Sequence, residues 1–186
     1  GNLQCGIFRG AGVTVPRAVC VRGGENQDLS ACFNPVTLTY DAVWKGGFLK
    51  FSTVRHGFMH GVLMDGELVS KRVSEPPQEP VHYHGFYRHG NRIVFAYRIG
   101  ETEYLDSPWV EEGQFVRIVA PRDEHPLRHL IKGSVRQWPE QLVTKITPGH
   151  GTPFAIDTIE LPLDNPWKAQ LFCGGHDFLS DGSALV

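Results

Sequence analysis

Val36-Thr37-Leu38-Thr39-Tyr40-Asp41-Ala42-Val43-Trp44 is the stretch on which the fold turns. Its even positions are all apolar and its odd positions mostly polar, the period of two that sets alternate side chains on opposite faces of a β-strand. Val36, Leu38, Tyr40, Ala42 and Trp44 are therefore expected on one face, toward a core. Asn34-Pro35 opens this strand, and Gly46-Gly47 lets the chain turn into Phe48-Leu49-Lys50-Phe51. Downstream the pattern repeats around two-residue turn signals. Asp65-Gly66 lies between Val62-Leu63-Met64 and Leu68-Val69, Gly90-Asn91 between two aromatic-rich runs, and Gly100-Glu101 before Thr102-Glu103-Tyr104-Leu105. Such pairs accept positive φ, so each predicts a tight hairpin.

Residues 82–106 read as a three-stranded meander, and residues 114–120, 154–161 and 169–173 as further strands. Residues 70–80 contain Pro76, Pro77 and Pro80, which remove backbone donors and mark an exposed connector. A short helix is expected only around Pro139–Val143. Without long amphipathic helices there is nothing to build βαβ crossovers from. The expectation is an all-β fold: one β-rich domain over residues 1–186, an antiparallel β-sandwich of two packed sheets of short strands with little helix. Near the C-terminus, Asp177 to Val186 reads as a strand, an Asp181-Gly182 turn and the start of a return strand. That cut hairpin suggests a piece excised from a longer polypeptide.

Composition agrees with a packed domain. The 186 residues are 41% hydrophobic and 20% charged, with 18 Lys plus Arg against 20 Asp plus Glu and a formal net charge of -2. A chain of this length buries roughly 70% of its unfolded surface. Without a basic field to gather phosphates, nucleic acid is not an expected partner. No run reaches the ~20 apolar residues of a membrane-spanning helix, so membrane insertion is not expected either.

Nine histidines invite a metal hypothesis. His82 and His84 sit two apart on an expected strand and so share a face, His89 follows near the turn, and His56 and His60 flank a Gly-Phe-Met run. With a third ligand, such a pair can bind zinc, copper or iron, which defines one reading: a metal-dependent enzyme using a His cluster. Imidazoles more often serve in polar hydrogen-bonded clusters. Glu101, Glu103, Asp106, Glu111 and Glu112 supply carboxylates for a second reading, a glycan-processing hydrolase, which needs a pair ~5 to 9.5 Å apart across a cleft. Trp109 and Trp138, each beside a proline in an expected loop, are candidates for sugar stacking. Cys20 and Cys32 flank a polar connection and can face each other across a hairpin, as a disulfide or as small buried hydrophobes. Gly10-Ala11-Gly12 precedes no helix and makes no nucleotide fingerprint.

The segments Ala31 to Leu38, Trp44 to Leu49, Phe86 to Tyr97, Asn165-Pro166-Trp167 and Asp177 to Gly182 together resemble an uncharacterised bacterial domain of unknown function. That domain occurs in large exported proteins that can also carry a c-type haem-binding module and a sugar-dehydrogenase-like β-propeller. The resemblance implies a periplasmic or extracellular setting, where a disulfide is permitted. It also implies that electron transfer and sugar oxidation reside in the neighbouring modules, with no cofactor in this segment. The expected role is then a non-catalytic structural or carbohydrate-binding module whose partners are the neighbouring domains of the parent protein.

Overall fold

The computed structural model describes residues 1–57, 59–133, 140–171 and 173–185. They fall into two compact units, Gly1–Val135 and Arg136–Val186. The first is an all-β sandwich. Its strands are β1 (Leu3–Gly10), β2 (Val13–Gly23), β3 (Leu29–Asn34), β4 (Thr39–Lys45), β5 (Leu49–Phe51), β6 (Val62–Met64), β7 (Glu67–Lys71), β8 (Val81–His89), β9 (Arg92–Ile99), β10 (Thr102–Glu111) and β11 (Gln114–Pro121). A seven-stranded sheet has the order β5-β6-β1-β2-β3-β4-β7, and a four-stranded sheet the order β11-β10-β9-β8.

The large sheet must curl. Only Asp65 and Gly66 separate β6, next to one end of the sheet, from β7 at the other. Two intervening residues cannot reach across a flat sheet of that width. The hairpin expected at Asp65-Gly66 is thus corrected: β6 pairs with β1 and β5, and β7 pairs with β4. Gly66 has φ +130°, and a Cβ there would sit 2.2 Å from the Lys45 carbonyl oxygen, so only glycine fits this closure. Inside the curl, Phe8, Val15, Ala18, Cys20, Cys32, Ala42, Trp44 and Val62 form one core. Phe8 and Trp44 stack with centroids 5.4 Å apart, and the Trp44 indole donates to the Phe48 carbonyl at 2.8 Å.

The opposite face of the same sheet packs on the small one. Val19, Val21, Leu29, Ala31, Phe33, Tyr40 and Val43 meet Ile93, Phe95 and Tyr97, with Phe33 and Phe95 stacked at 4.1 Å. The outer face of the small sheet is covered by Leu130 from a 3-10 turn, Arg128–Lys132, packed on Val94, Ala96 and Leu105. His125 anchors the approach to that turn. Its Nδ1 accepts from the Leu127 amide at 3.0 Å, which leaves Nε2 to donate to the Ile118 carbonyl at 3.2 Å.

The opening stretch departs from its expected single-face pattern. Residues 35–38 form a turn, Val36 is exposed, and the strand itself starts at Thr39. Cys32 pairs with Ala42 while Phe33 pairs with Tyr40, so Asp41 is an extra residue, a β-bulge. The bulge reverses parity: Tyr40 faces the sandwich, whereas Ala42 and Trp44 face the curl. Asp41 is satisfied locally by Asn34 Nδ2 and the Thr39 hydroxyl, each at 2.8 Å.

Hairpins at Gly90-Asn91 and Gly100-Glu101 form as expected, and residues 72–80 link the two sheets. Among the described residues of the second unit, strand is limited to β12 (Ile146–Thr147) paired with β13 (Thr158–Ile159), and β14 (Asp177–Phe178) paired with β15 (Ala184–Leu185). The strand expected over 154–161 shrinks to its two-residue β13, and the described part of 169–173 is not strand. Buried Asn165 organises a turn there, donating to the Ala169 carbonyl at 2.8 Å and accepting from the Trp167 amide at 3.2 Å. Residues 140–143, the described part of the expected helix, are not helical, and no described helix is long and apolar enough to cross a membrane.

Replacing Trp44 with Ala empties the centre of the curl and is expected to cost about 3–5 kcal/mol. Urea unfolding measures it. A loss below about 1 kcal/mol would show that this interior is not the packed core described.

Candidate functional site

The strand β8 presents the histidine pair. His82 and His84 are both exposed with ring centroids 4.8 Å apart, and His84 Nε2 lies 2.9 Å from Glu103 Oε2, which reaches across β9 from β10. His89 does not join them. It lies five residues along the strand from His84, about 17 Å at the usual rise, and its Nδ1 is 3.2 Å from the Gly133 carbonyl. His60 is elsewhere, its Nδ1 3.0 Å from the Ser52 hydroxyl. Among the described residues no group of three His, Cys, Asp or Glu side chains is placed to hold a metal ion. The His56 side chain lies outside what is described.

Trp109 is in the strand β10, not in a loop, and this corrects its expected setting. The Arg92 guanidinium sits 3.6 Å from the centre of its ring, so one stacking face is already occupied. Trp138 lies outside the described residues. Of the candidate carboxylates, Glu101, Glu111 and Glu112 are exposed, and Asp106 is wholly buried between the sheets.

Asp106 and Arg117 form a densely bonded pair between the sheets. Arg117 Nη2 donates to its Oδ2 at 2.6 Å and Arg117 Nε to both oxygens at 3.1 Å, while the Tyr40 and Tyr97 hydroxyls donate at 3.1 and 3.3 Å. Arg117 Nη2 also reaches the Leu38 carbonyl at 2.6 Å, across to the large sheet. Burial holds the Asp106 carboxyl above its ordinary range, an effect the donors from Arg117, Tyr40 and Tyr97 only partly offset. Burial acts against the Arg117 charge, but Asp106 outweighs it and lifts the guanidinium further above its usual value. The pair thus clasps the two sheets together, with the Asp106 carboxylate wholly buried.

The concavity lies elsewhere. A cleft of about 760 Å³ opens between β1, β2, the turn before β4, the proline-rich linker and β8. Its local cause is a second bulge. Gly6 pairs with Ala18 and Phe8 with Val15, leaving Ile7 opposite both Pro16 and Arg17. Pro16 has no N–H to extend the ladder, so the strands part there. Ile7, Val36, Pro76 and Pro77 supply apolar walls, and Arg17, Glu79, His82 and Tyr83 supply polar groups. The Tyr83 hydroxyl is buried without a hydrogen-bond partner, and burial pushes it above the usual phenol range, with a smaller push from Cys5. Cys5 also lines the cleft; it is exposed at the surface, and partial desolvation raises its thiol, with a further push from Cys20. A thiol so shifted is a poor nucleophile.

Sequence reasoning missed this cleft. The usable signal was Pro16 inside a run that otherwise alternates, since an interior proline marks a bulge or an edge. Cys20 and Cys32, by contrast, are register partners on β2 and β3 as their spacing allowed, both buried and both free thiols.

A model of a domain of unknown function (DUF6797) matches residues 31–76 and 70–106. The matched span runs from β3 into β10 and so includes the bulged strand, the linker and the histidine pair. No curated protein and no solved structure matches the chain. The fold is thus an all-β sandwich, of which residues 31–106 are similar to a domain of unknown function.

Because the folded carboxyl of Asp106 is raised above its unfolded value near 3.9, folding takes up a proton between the two values. Its stabilising contribution is full below the unfolded value and is lost as pH rises through the folded one. The stability lost on Asp106→Asn is therefore expected to be larger at pH 4 than at pH 7 in paired urea titrations. A loss that shrinks on acidification would mean the carboxyl is held below its ordinary range.

Proposed function

We propose that this chain is a non-catalytic binding and spacing module of a multidomain exported protein, acting in the periplasm or outside the cell. In this reading the parent's haem-binding and sugar-dehydrogenase-like β-propeller modules carry the chemistry, and the ligand of this module is carbohydrate. The observation that carries the proposal is the cleft. Its volume of about 760 Å³ falls within the usual range for small-ligand sites, roughly 300–1,000 Å³.

Its lining suits a sugar. Apolar walls from Ile7, Val36, Pro76 and Pro77 can meet the C–H faces of a pyranose ring. Hydroxyls that both donate and accept need a mixed set of partners, and Arg17 donates, Glu79 accepts and His82 does either. The opposed charges of Arg17 and Glu79 favour a neutral ligand over an anion or a cation. The non-catalytic part rests on how the reactive residue types are employed. Asp106 is saturated inside the sandwich, the Cys5 thiol is shifted away from its reactive form, and His84 is paired with Glu103.

Titration of the isotopically labelled chain with a panel of neutral mono- and disaccharides is expected to shift amide resonances of residues 17–18, 78–79 and 81–83. Arg17→Ala and His82→Ala should each weaken binding about tenfold, the loss of one charge-assisted or strong hydrogen bond. Trp109→Phe should leave it unchanged. Absence of shifts at tens of millimolar across the panel, or shifts centred on Trp109, would overturn the assignment.

A further inference from the structure

Cys20 and Cys32 are the two cysteines for which the fold leaves no ordinary freedom. They sit directly opposite each other on β2 and β3, and both are wholly buried among the side chains that fill the curl of the large sheet. Both are free thiols in this register pair. Opposed residues of an antiparallel pair have Cα atoms about 4.5–5.5 Å apart, inside the window a disulfide requires. Of the other two cysteines, Cys5 is exposed and in register with Val19, not with either member of the pair, and Cys173 is exposed in the second unit.

We infer that Cys20 and Cys32 are a disulfide site, closed by exchange with a disulfide donor when the chain folds in an oxidising compartment. The step balances as thiol–disulfide exchange. One protein thiolate attacks a sulfur of the donor and releases its first thiol, and the second protein thiolate then displaces the donor's other sulfur. The protein gains one S–S bond and loses two S–H hydrogens, and the donor is reduced to two thiols. Oxidised glutathione or the active-site disulfide of an oxidoreductase can serve as donor.

Timing follows from burial. Within the folded sheet both thiols are wholly buried, out of reach of a disulfide donor, and the Cys32 thiol is held above its ordinary range by the neighbouring Cys20 and by burial. The bond is therefore made before the large sheet closes and is afterwards shielded from reductants. Its location gives it a structural consequence. Cys32 is the last residue of β3 in register with β4 before the Asp41 bulge, so the bond fixes β2 to β3 beside the point where Phe33 and Tyr40 are aimed into the sandwich.

The test uses the full chain with both exposed cysteines replaced, Cys5→Ser and Cys173→Ser, folded in a glutathione redox buffer. After unfolding in denaturant and alkylation without reductant, the expected product carries no alkyl group and is about 2 Da lighter than the reduced chain, the two hydrogens lost on S–S formation. Reductant should restore two alkylation sites. Two alkyl groups without reductant would overturn the inference. In parallel, non-reducing peptide mapping of the wild-type chain should recover Cys20 and Cys32 peptides joined, and any other pairing would also overturn it. Unfolding the oxidised wild-type chain with reductant present should lower the melting temperature by several degrees, with no such change in the Cys20→Ala, Cys32→Ala double variant.

Discussion

A single carboxylate held out of water between two sheets sets the terms for the rest of the sandwich. Asp106 is wholly buried and takes hydrogen bonds from Arg117, Tyr40 and Tyr97. A buried ionisable group is expensive unless each of its lone pairs is met, so five elements must meet at one point. The strands β9, β10 and β11 supply Tyr97, Asp106 and Arg117. The large sheet supplies Tyr40 from β4 and the Leu38 carbonyl from the turn before it. Leu38 adopts φ +56°, uncommon for a residue with a branched side chain, and its carbonyl is bonded to Arg117. Such a network specifies the pairing of the two sheets more sharply than apolar contact alone, which tolerates sliding.

That geometry is reached only because strands are interrupted in the right places. The bulge at Asp41 turns Tyr40 toward the carboxylate while keeping Trp44 in the curl. A comparable irregularity in β8, between Tyr83 and Gly85, lets Tyr83 face the sandwich while Tyr87 packs on the outer side. The third, at Pro16 and Arg17, opens the cleft. Each places one extra residue on a strand and so exchanges the faces that follow. Architecture and concavity thus come from the same device used at different sites.

These interruptions also mark the limit of what the amino-acid order discloses. The hairpins at Gly90-Asn91 and Gly100-Glu101 were legible because their turn residues and flanking periodicity agree. The strands β1 and β2 were not recognised. Their connection, Ala11-Gly12, has positive φ at both residues, a tight-turn pattern that the surrounding Gly10 and Pro16 obscured. Asp65-Gly66 carried the right local chemistry and the wrong partner, since pairing in a curled sheet is decided by closure and not by the turn. For the site, the proximity of His82 to His84 and the opposition of Cys20 to Cys32 were readable from spacing. The burial of Asp106, the Arg92 cover on Trp109 and the cleft were not, because each depends on residues far apart in the chain.

The two-residue bridge at Asp65 and Gly66 has a bearing on how the protein behaves among other chains. An open sheet of seven strands ordinarily leaves two rows of unsatisfied amides and carbonyls, each a template on which a stranger can add. Curling brings the margins round toward one another; Lys50 on the marginal strand β5 is in an ion pair with Asp65, and Glu67 on the other marginal strand, β7, is in one with Lys45 of β4. Charged lysines on a margin discourage addition of a foreign strand. The turn that closes the sheet is thereby also a guard against polymerisation.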